Sequence, residues 1–424
     1  MKTAIVLGGG GARGAYEAGV ISYLREELEP QLGRTLKLDI ITGTSVGAIH
    51  ACFLAATSDD PPSQGRRLSN HWLSTQVDQL LEFGVADIWR LIRESVGRPN
   101  HHLNVRQGGL ANPEGLRKLV CSTIPWLNIG RNLRHGHFEA LAVSATHVAT
   151  GRTLAFIQRR GGQLPPWGND PNYRAELARL SPKYALASAA IPILFPAVWL
   201  DGQLYVDGGL RLNVPLSPAL RLGAERVIVV SLKPNQGPAA RADVIERALG
   251  FNHAQVAPTA PFLFGKTLNA LLLDRTQQDY GQLARINDIL EAGTQAYGAE
   301  FARVLNGALS PHRNQTVRYV RPLRVCPSRD LGTLAVEYAG SPDFRRRRNG
   351  LGLARRTILK VVEQEGFQGA DLASYLLFDG GFAEVLIDLG RRDARALEAE
   401  WLRFCDETPA CAAEAAQRDT RAKE

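Results

Sequence analysis

No stretch of the 424-residue chain approaches the ~18 consecutive apolar residues of a membrane-spanning helix. The apolar run near the N-terminus, Ala4 to Leu7, is too short for a secretory leader. The expectation is a soluble protein whose membrane contact, if it has one, is peripheral. The five cysteines, at 52, 121, 326, 405 and 411, are scattered, odd in number and free of any C-x-x-C pair. That spacing speaks against a disulfide framework and a zinc site. Reduced thiols in the cytoplasm are the default, and no metal is expected. No Gly-Lys-Ser/Thr follows the glycine-rich loop near the N-terminus, which excludes a Walker A phosphate loop. There is no internal repeat and no long low-complexity segment.

What is present supports a real core: 45% hydrophobic residues against 22% charged. The net charge of +8, carried mostly by arginine, favours an anionic surface, either nucleic acid or acidic lipid headgroups. A solvated basic face explains the same number equally well.

The first 60 residues read as two βα units. Thr3–Leu7 is a buried strand by its β-branched content. Residues 8–11 form a loop, and 12–28 have helical spacing that should stop before Pro30. A second strand is expected over 36–42 and a second helix over Val46–Ala56. Strand, loop, helix, strand and helix in that order imply a parallel sheet with right-handed crossovers. Residues 63–97 read as mostly helical. Hairpins are expected around Thr150-Gly151 and around Asp201-Gly202, the second a strong two-residue turn signal. A helix should start near Pro215, and "RVIVVSL" from Arg226 reads as a buried strand. A Gly/Pro/Ala patch at 234–240 precedes helical sequence to about 308, then a late strand over 317–325. From about 341 to the end the pattern is helical and charged, with an arginine run at 345–348.

The loop "GGGGARG" contains Gly9-x-Gly11-x-x-Gly14, which also fits a dinucleotide fingerprint. A dinucleotide site needs an acid at the end of the second strand to hold the ribose. The second strand ends instead in Thr42-Gly43-Thr44-Ser45, and Asp39 stands at its beginning. The other reading is an oxyanion hole. Glycines let backbone N–H groups approach a ligand with no Cβ in the way, and the helix start adds positive potential there.

Gly43-x-Ser45-x-Gly47 between strand and helix has the form of a nucleophile elbow. In a parallel sheet this turn and the glycine loop both leave the carboxyl ends of neighbouring strands, where open α/β sheets place their sites. A serine hydroxyl needs a base. Histidines stand at 50, 71, 101, 102, 135, 137, 147, 253 and 312, and none has a context prepared for catalysis. Only His253 and His312 follow the best acid candidate, as a Ser–acid–His order requires. The alternative base is Asp207, at the end of a strand and followed by Gly208-Gly209. A second "DGG" at Asp379 lies in helical sequence and reads as a decoy.

Taken together, these motifs resemble the patatin-like phospholipase family. "GGGARG" matches its anion-hole motif, "GTSVG" its serine motif, "ASAAIP" at 187–192 its A-S-x-x-x-P segment, and "DGG" with Asn213-Val214-Pro215 its aspartate region. The likeness is close over 1–235 and weaker to about 340. It implies a three-layer α/β/α fold with a mostly parallel central sheet, and hydrolysis of lipid acyl esters by a Ser–Asp dyad without histidine. Ser45 would be the nucleophile and Asp207 the base. Gly10 and Gly11, with Gly9 nearby, would form the oxyanion hole, and Arg13 would hold the loop or lend it positive charge. Ser188 would be structural. Gly14, Gly43, Gly47, Gly208 and Gly209 complete the motifs.

The organisation expected is an acyl hydrolase domain over 1–340 and a helical C-terminal extension over 341–424. The partner expected is a phospholipid or other lipid ester, with no nucleic acid, no cofactor and no assigned oligomer. Three apolar stretches, 81–92, 164–168 and 261–273, are candidates for lipid contact or ordinary core packing. Two competing classes are a dinucleotide-binding oxidoreductase using the glycine loop and a catalytically inactive lipid-binding regulator. The intact Ser45, Asp207 and glycine loop argue against the second.

Overall fold

The computed structural model describes residues 1–80, 82–83, 111–167, 170, 172–234, 267, 276–313, 317–342, 344 and 370–406. The stretch 84–92, the patch 235–240, the apolar run 261–273 apart from Thr267, the arginine run 345–348, and His101, His102 and His253 lie outside them, as does the side chain of His312.

The main sheet is built from β1 (Thr3–Leu7), β2 (Ile40–Thr44), β3 (Ala140–His147), β4 (Thr153–Arg159), β5 (Tyr173–Leu177), β6 (Val198–Leu200), β7 (Gln203–Asp207), β8 (Arg226–Val230) and β9 (Arg321–Val325). Their order is β9-β8-β1-β2-β3-β4-β5. The run from β9 to β3 is parallel. β4 returns antiparallel to β3, and β5 lies parallel to β4. β7 pairs antiparallel with the end of β3, placing Asp207 opposite Ala145, and β6 closes a hairpin on β7. Asp201 and Gly202 both have positive φ, as a tight hairpin turn requires.

The parallel strands are buried on both faces, which is why they read as continuous apolar runs. Period-two alternation sorts them. Ile5, Leu7, Ile41, Val143 and Val230 face one apolar cluster, while Ala4, Val6, Ile40, Ala142 and Val229 face another. The helices that cover these faces include α1 (Ala15–Tyr23), α2 (Val46–Ala56), α3 (Gln64–Leu73), α4 (Pro182–Ser188), α5 (Leu216–Arg221), α6 (Thr276–Tyr297), α7 (Leu331–Gly340), α8 (Ala370–Leu376), α9 (Gly380–Ala396) and α10 (Glu398–Cys405). The α1, α2 and α7–α10 side chains fill the first cluster; Leu216 of α5 and Leu283 of α6 fill the second. The result is helix, sheet, helix, as the motifs imply. Among the described residues no helix is long and apolar enough to cross a membrane.

Three expectations change in detail. The first helix does not stop before Pro30. Its Leu24–Leu28 turn is widened, with the Glu29 N–H reaching back to the Leu24 carbonyl, and helix continues to Leu32. Pro30 then falls in the first turn of the segment that follows, where the N–H it lacks is not needed. The second strand runs 40–44 rather than 36–42, so Gly43 and Thr44 belong to the ladder and the strand enters the elbow directly. The late strand is confined to Arg321–Val325.

The C-terminal helices are integrated into the body of the fold. Tyr375, Phe382, Trp401 and Phe404 are buried in the same cluster as Ile5 and Leu7. Gly19 of α1 and Gly390 of α9 let these helices approach closely. A Cβ on Gly19 would stand 2.1 Å from the Ile387 carbonyl oxygen, and one on Gly390 2.3 Å from that of Tyr16. Asp379, the second "DGG", caps α9 by accepting from the Gly381 N–H. Trp167, in one of the apolar stretches, packs against Tyr173 and Arg221.

Candidate active site

Ser45 follows the last residue of β2 and caps α2, with φ 55° and ψ −126°. A non-glycine residue at positive φ is strained. Backbone contacts impose the conformation. A Cβ on Gly43 would lie 2.1 Å from the Gly47 carbonyl oxygen, and one on Gly47 2.4 Å from that of Leu7. Neither position accepts a side chain without displacing the backbone. The strand end is anchored by Thr42 and Thr44, whose hydroxyls donate to the carbonyls of Pro215 and Leu212.

The Ser45 hydroxyl donates to Asp207 Oδ2 at 2.6 Å. Asp207 ends β7 and is fully buried. Its N–H donates to the Ala190 carbonyl, and its own carbonyl accepts from the Thr146 hydroxyl. Its Oδ1 accepts from the Gly209 N–H at 2.7 Å. A Cβ on Gly208 would meet the Ser144 carbonyl oxygen at 2.3 Å, so the turn sits flush on β3. Burial pushes the Asp207 carboxyl up to about 7, against the hydrogen bonds from Ser45 and Gly209, which favour the charged form.

Ser188 closes α4 and is also fully buried. It accepts from the Ser45 N–H at 2.9 Å and donates to the Ser144 carbonyl at 2.6 Å. It braces the elbow from β3, the strand that also carries the Asp207 turn.

The glycine loop lies beside the elbow. A Cβ on Gly9 would stand 2.9 Å from Ser45 Cβ and 2.4 Å from Asn213 Oδ1. The Gly9 N–H is taken by Asn213, and the Gly8 N–H by Glu17 Oε1 at 2.7 Å. Gly9 therefore supplies closeness and no free donor. The N–H groups of Gly10 and Gly11 have no hydrogen-bond partner among the described residues. They are amides of the loop that remain available to a ligand oxygen. Arg13 is 2% exposed and turned to α8, so the loop's motif arginine presents no charge to an open cleft.

Beneath the loop runs a buried chain that the sequence reading did not anticipate. Glu17 Oε2 pairs with His50 Nδ1 at 2.7 Å, and His50 Nε2 accepts from the Trp72 indole at 3.0 Å. An indole N–H only donates, so the His50 proton is on Nδ1 and points to Glu17. Burial raises the Glu17 pKa, opposed by His50 and the Gly8 N–H. The signal was an acid within the apolar "AYEAGV" of α1. His50 is thus engaged elsewhere, and among the described residues the Ser45 hydroxyl donates to Asp207 alone. Asp39 accepts from the Thr3 N–H at the far end of the strands, which leaves no ribose-binding acid where the dinucleotide reading requires one.

A narrow apolar cavity of about 60 Å³, open to solvent, is lined by Val46, the residue after Ser45, though not by Ser45 itself. Val46, Ile49 and Phe53 of α2 line one side; Trp72, Leu119 and Phe378 line others.

Fold and site define a class: an α/β protein with a strained serine elbow, a buried carboxylate partner and a glycine-rich amide loop at the carboxyl edge of one sheet. The chain belongs to the patatin-like phospholipase family, whose model matches residues 5–220. It is 29% identical over 213 residues to a cGAMP-activated phospholipase of Pseudomonas aeruginosa, covering 50% of this chain and 53% of that protein. It is 28% identical over 279 residues to an NTE family protein of Mycobacterium tuberculosis, covering 65% of this chain and 61% of that one. The chain thus spans between half and two thirds of the length of these two relatives. Human GIVD cytosolic phospholipase A2, solved with methyl gamma-linolenyl fluorophosphonate, matches at 13% identity and a TM-score of 0.37 over 95% of this chain and 58% of that one. That likeness is too distant to argue from.

Proposed function

We propose that this chain hydrolyses lipid acyl esters through a Ser45–Asp207 dyad. The observation that carries the reading is the 2.6 Å hydrogen bond from the strained Ser45 hydroxyl to a fully buried carboxylate. The ionised Asp207 takes the Ser45 proton as the oxygen bonds to the ester carbonyl carbon. The carbonyl electron pair moves to its oxygen, which the Gly10 and Gly11 amides receive. Collapse expels the alcohol or lysolipid, which takes the proton back from Asp207. Water then attacks the acyl-enzyme, with Asp207 again as base, and releases the fatty acid.

An ordinary carboxylate, near ~3.9, is a weak base for a hydroxyl. Burial narrows the mismatch by raising Asp207 to about 7, and the amides stabilise the oxyanion. The apolar cavity beside Val46 supports a substrate with a hydrocarbon chain, which the lining would take out of water. Such a substrate presents itself at a lipid surface, so contact with the membrane would be peripheral. The residues from 1 to 340 carry every group the chemistry uses.

Labelling with a fluorophosphonate, wild type against Ser45→Ala, followed by a panel of phospholipid and lysophospholipid esters, tests the reading. Labelling and acyl release should both vanish in Ser45→Ala. Undiminished turnover by that variant would reject the nucleophile assignment.

A further inference from the structure

The loop that bears the Gly10 and Gly11 amides is gripped from far along the chain. Arg13 Nε donates to Ser374 Oγ at 2.8 Å, Nη1 to the Tyr375 hydroxyl at 3.4 Å and Nη2 to Asp371 Oδ1 at 3.4 Å. Its guanidinium carbon lies 4.1 Å from the centre of the Tyr375 ring. Ser374 passes the contact on by donating to the Asp371 carbonyl at 2.7 Å. Two residues before Arg13, Gly11 has φ +57°, and a Cβ there would stand 2.5 Å from the Tyr375 carbonyl oxygen. Beyond α8, Phe378 stacks on Trp72 at 6.1 Å and closes a wall of the apolar cavity. All three of Arg13, Ser374 and Tyr375 are buried to within 2%.

We propose that α8 is a clasp that sets the position of the Gly10 and Gly11 amides, with Arg13 a positioning residue acting through Ser374 and Asp371 rather than an anion ligand. The inference rests on the dyad reading for its kinetic consequence. The family match ends at residue 220, so this clasp supplies from outside that span a part of the site that the motifs alone do not contain. The chemistry is direct. A planar guanidinium has several donors in fixed directions and stacks on an aromatic ring, so three partners fix it in orientation as well as place. The loop at Gly11 cannot retreat toward α8, because the Tyr375 carbonyl is already in contact. It cannot swing away without breaking the Arg13 bonds. A shift of about 1 Å in a group that acts on the reacting atoms costs on the order of 10²-fold in rate.

The test uses the full chain with four changes: Arg13→Ala, Arg13→Lys, the pair Ser374→Ala with Asp371→Asn, and that pair combined with Arg13→Ala. Trp401→Phe serves as the control. It loosens the core where Trp401 packs on Tyr23, away from the loop. Initial rates on a short-chain ester and hydrogen exchange of the 8–14 peptide are read for each, with Ser45→Ala as the zero. Arg13→Ala should lower kcat on the order of 10²-fold with KM little changed. Lysine should fail to rescue it, since it keeps the charge and loses the fork. The α8 pair should lose most of the same factor, and adding Arg13→Ala to it should lose little more. Exchange over 8–14 should accelerate in all of these and stay at the wild-type rate in Trp401→Phe. Rescue by lysine, additive losses, or unchanged exchange would overturn the clasp. If Ser45→Ala keeps its activity the dyad reading falls instead, and the exchange arm alone then decides the clasp.

Discussion

Asp207→Asn is expected to kill the site and stabilise the fold. The carboxyl is raised from 3.8 to about 7, chiefly by burial. The folded protein therefore holds this proton more tightly than the unfolded chain does. The stability that comes with it is fully present below pH ~4 and is lost as the pH rises through about 7. Three pKa units correspond to about 4 kcal/mol across the window, of which about 3 kcal/mol falls between pH 5 and pH 8. Asparagine has no proton to lose. Its carbonyl oxygen can accept from the Gly209 N–H and its amide can donate to the Ser45 oxygen, so the two neighbours seen here remain satisfied. The difference in unfolding free energy, variant minus wild type, should thus grow by about 3 kcal/mol from pH 5 to pH 8. Scaling the unfolding entropy to this length turns that into a Tm gap about 3 °C wider at pH 8. Chemical denaturation at both pH values measures it, with phosphonate labelling to show the loss of chemistry. A difference that is flat with pH, or that shrinks toward pH 8, would mean that Asp207 carries no burial penalty. The explanation of how a carboxylate serves as base here would then fail.

The same carboxyl gives the activity a pH limb: kcat/KM of the wild type should fall below pH about 7 as Asp207 takes up its proton, read from a rate profile at constant ionic strength. Ser188→Ala should leave the buried Ser45 N–H without its acceptor, cost about 1–3 kcal/mol by denaturant titration and slow labelling of Ser45. Gly208→Ala should push the Asp207 turn off β3, because the new Cβ would meet the Ser144 carbonyl at 2.3 Å; a drop in kcat larger than the drop in Tm explains is the outcome to look for. Ile49→Phe, which narrows the apolar cavity, should shift preference from long to short acyl chains on an ester series while leaving short-chain rates near wild type.

Much of the fold could be read from the chain because its strands are buried on both faces. Thr3–Leu7 and the start of the Arg226 strand were plain in their β-branched runs, and Val46–Ala56 in its small apolar residues. The placement of Ser45 and Asp207 across one crevice follows from topology, since both stand at strand ends of a single sheet. What escaped the reading depends on contacts distant in sequence. Pro30 signals a helix stop locally, but after the widened turn it falls in the first turn of the segment that follows. Gly9 looks like an oxyanion donor until Asn213 is brought against it. Arg13 reads as holding the loop or lending it charge, and the partner it reaches on α8 lies 361 residues away in sequence. Nothing in "ADLASYL" marks it as an active-site neighbour, because serine, aspartate and tyrosine there are ordinary for a helix.

The distance between the serine and the loop amides is set by backbone contact. Gly47 rests on the Leu7 carbonyl, Gly9 lies against Ser45 Cβ, and Gly208 rests on the Ser144 carbonyl. Each contact removes the slack that a side chain would have introduced. A strained residue such as Ser45 costs about 1–3 kcal/mol and persists only where its surroundings over-determine it. Here the elbow is fixed by β1 through Gly47, by β3 through Ser188, and by the Asp207 carboxylate at the hydroxyl itself. The glycine loop has no such redundancy on its outer side, where the N–H groups of Gly10 and Gly11 have no partner among the described residues. A loop built to keep two amides unsatisfied cannot be held by those amides. Glu17 and Asn213 hold it at Gly8 and Gly9, and on our proposal Arg13 reaching into α8 holds it beyond Gly11.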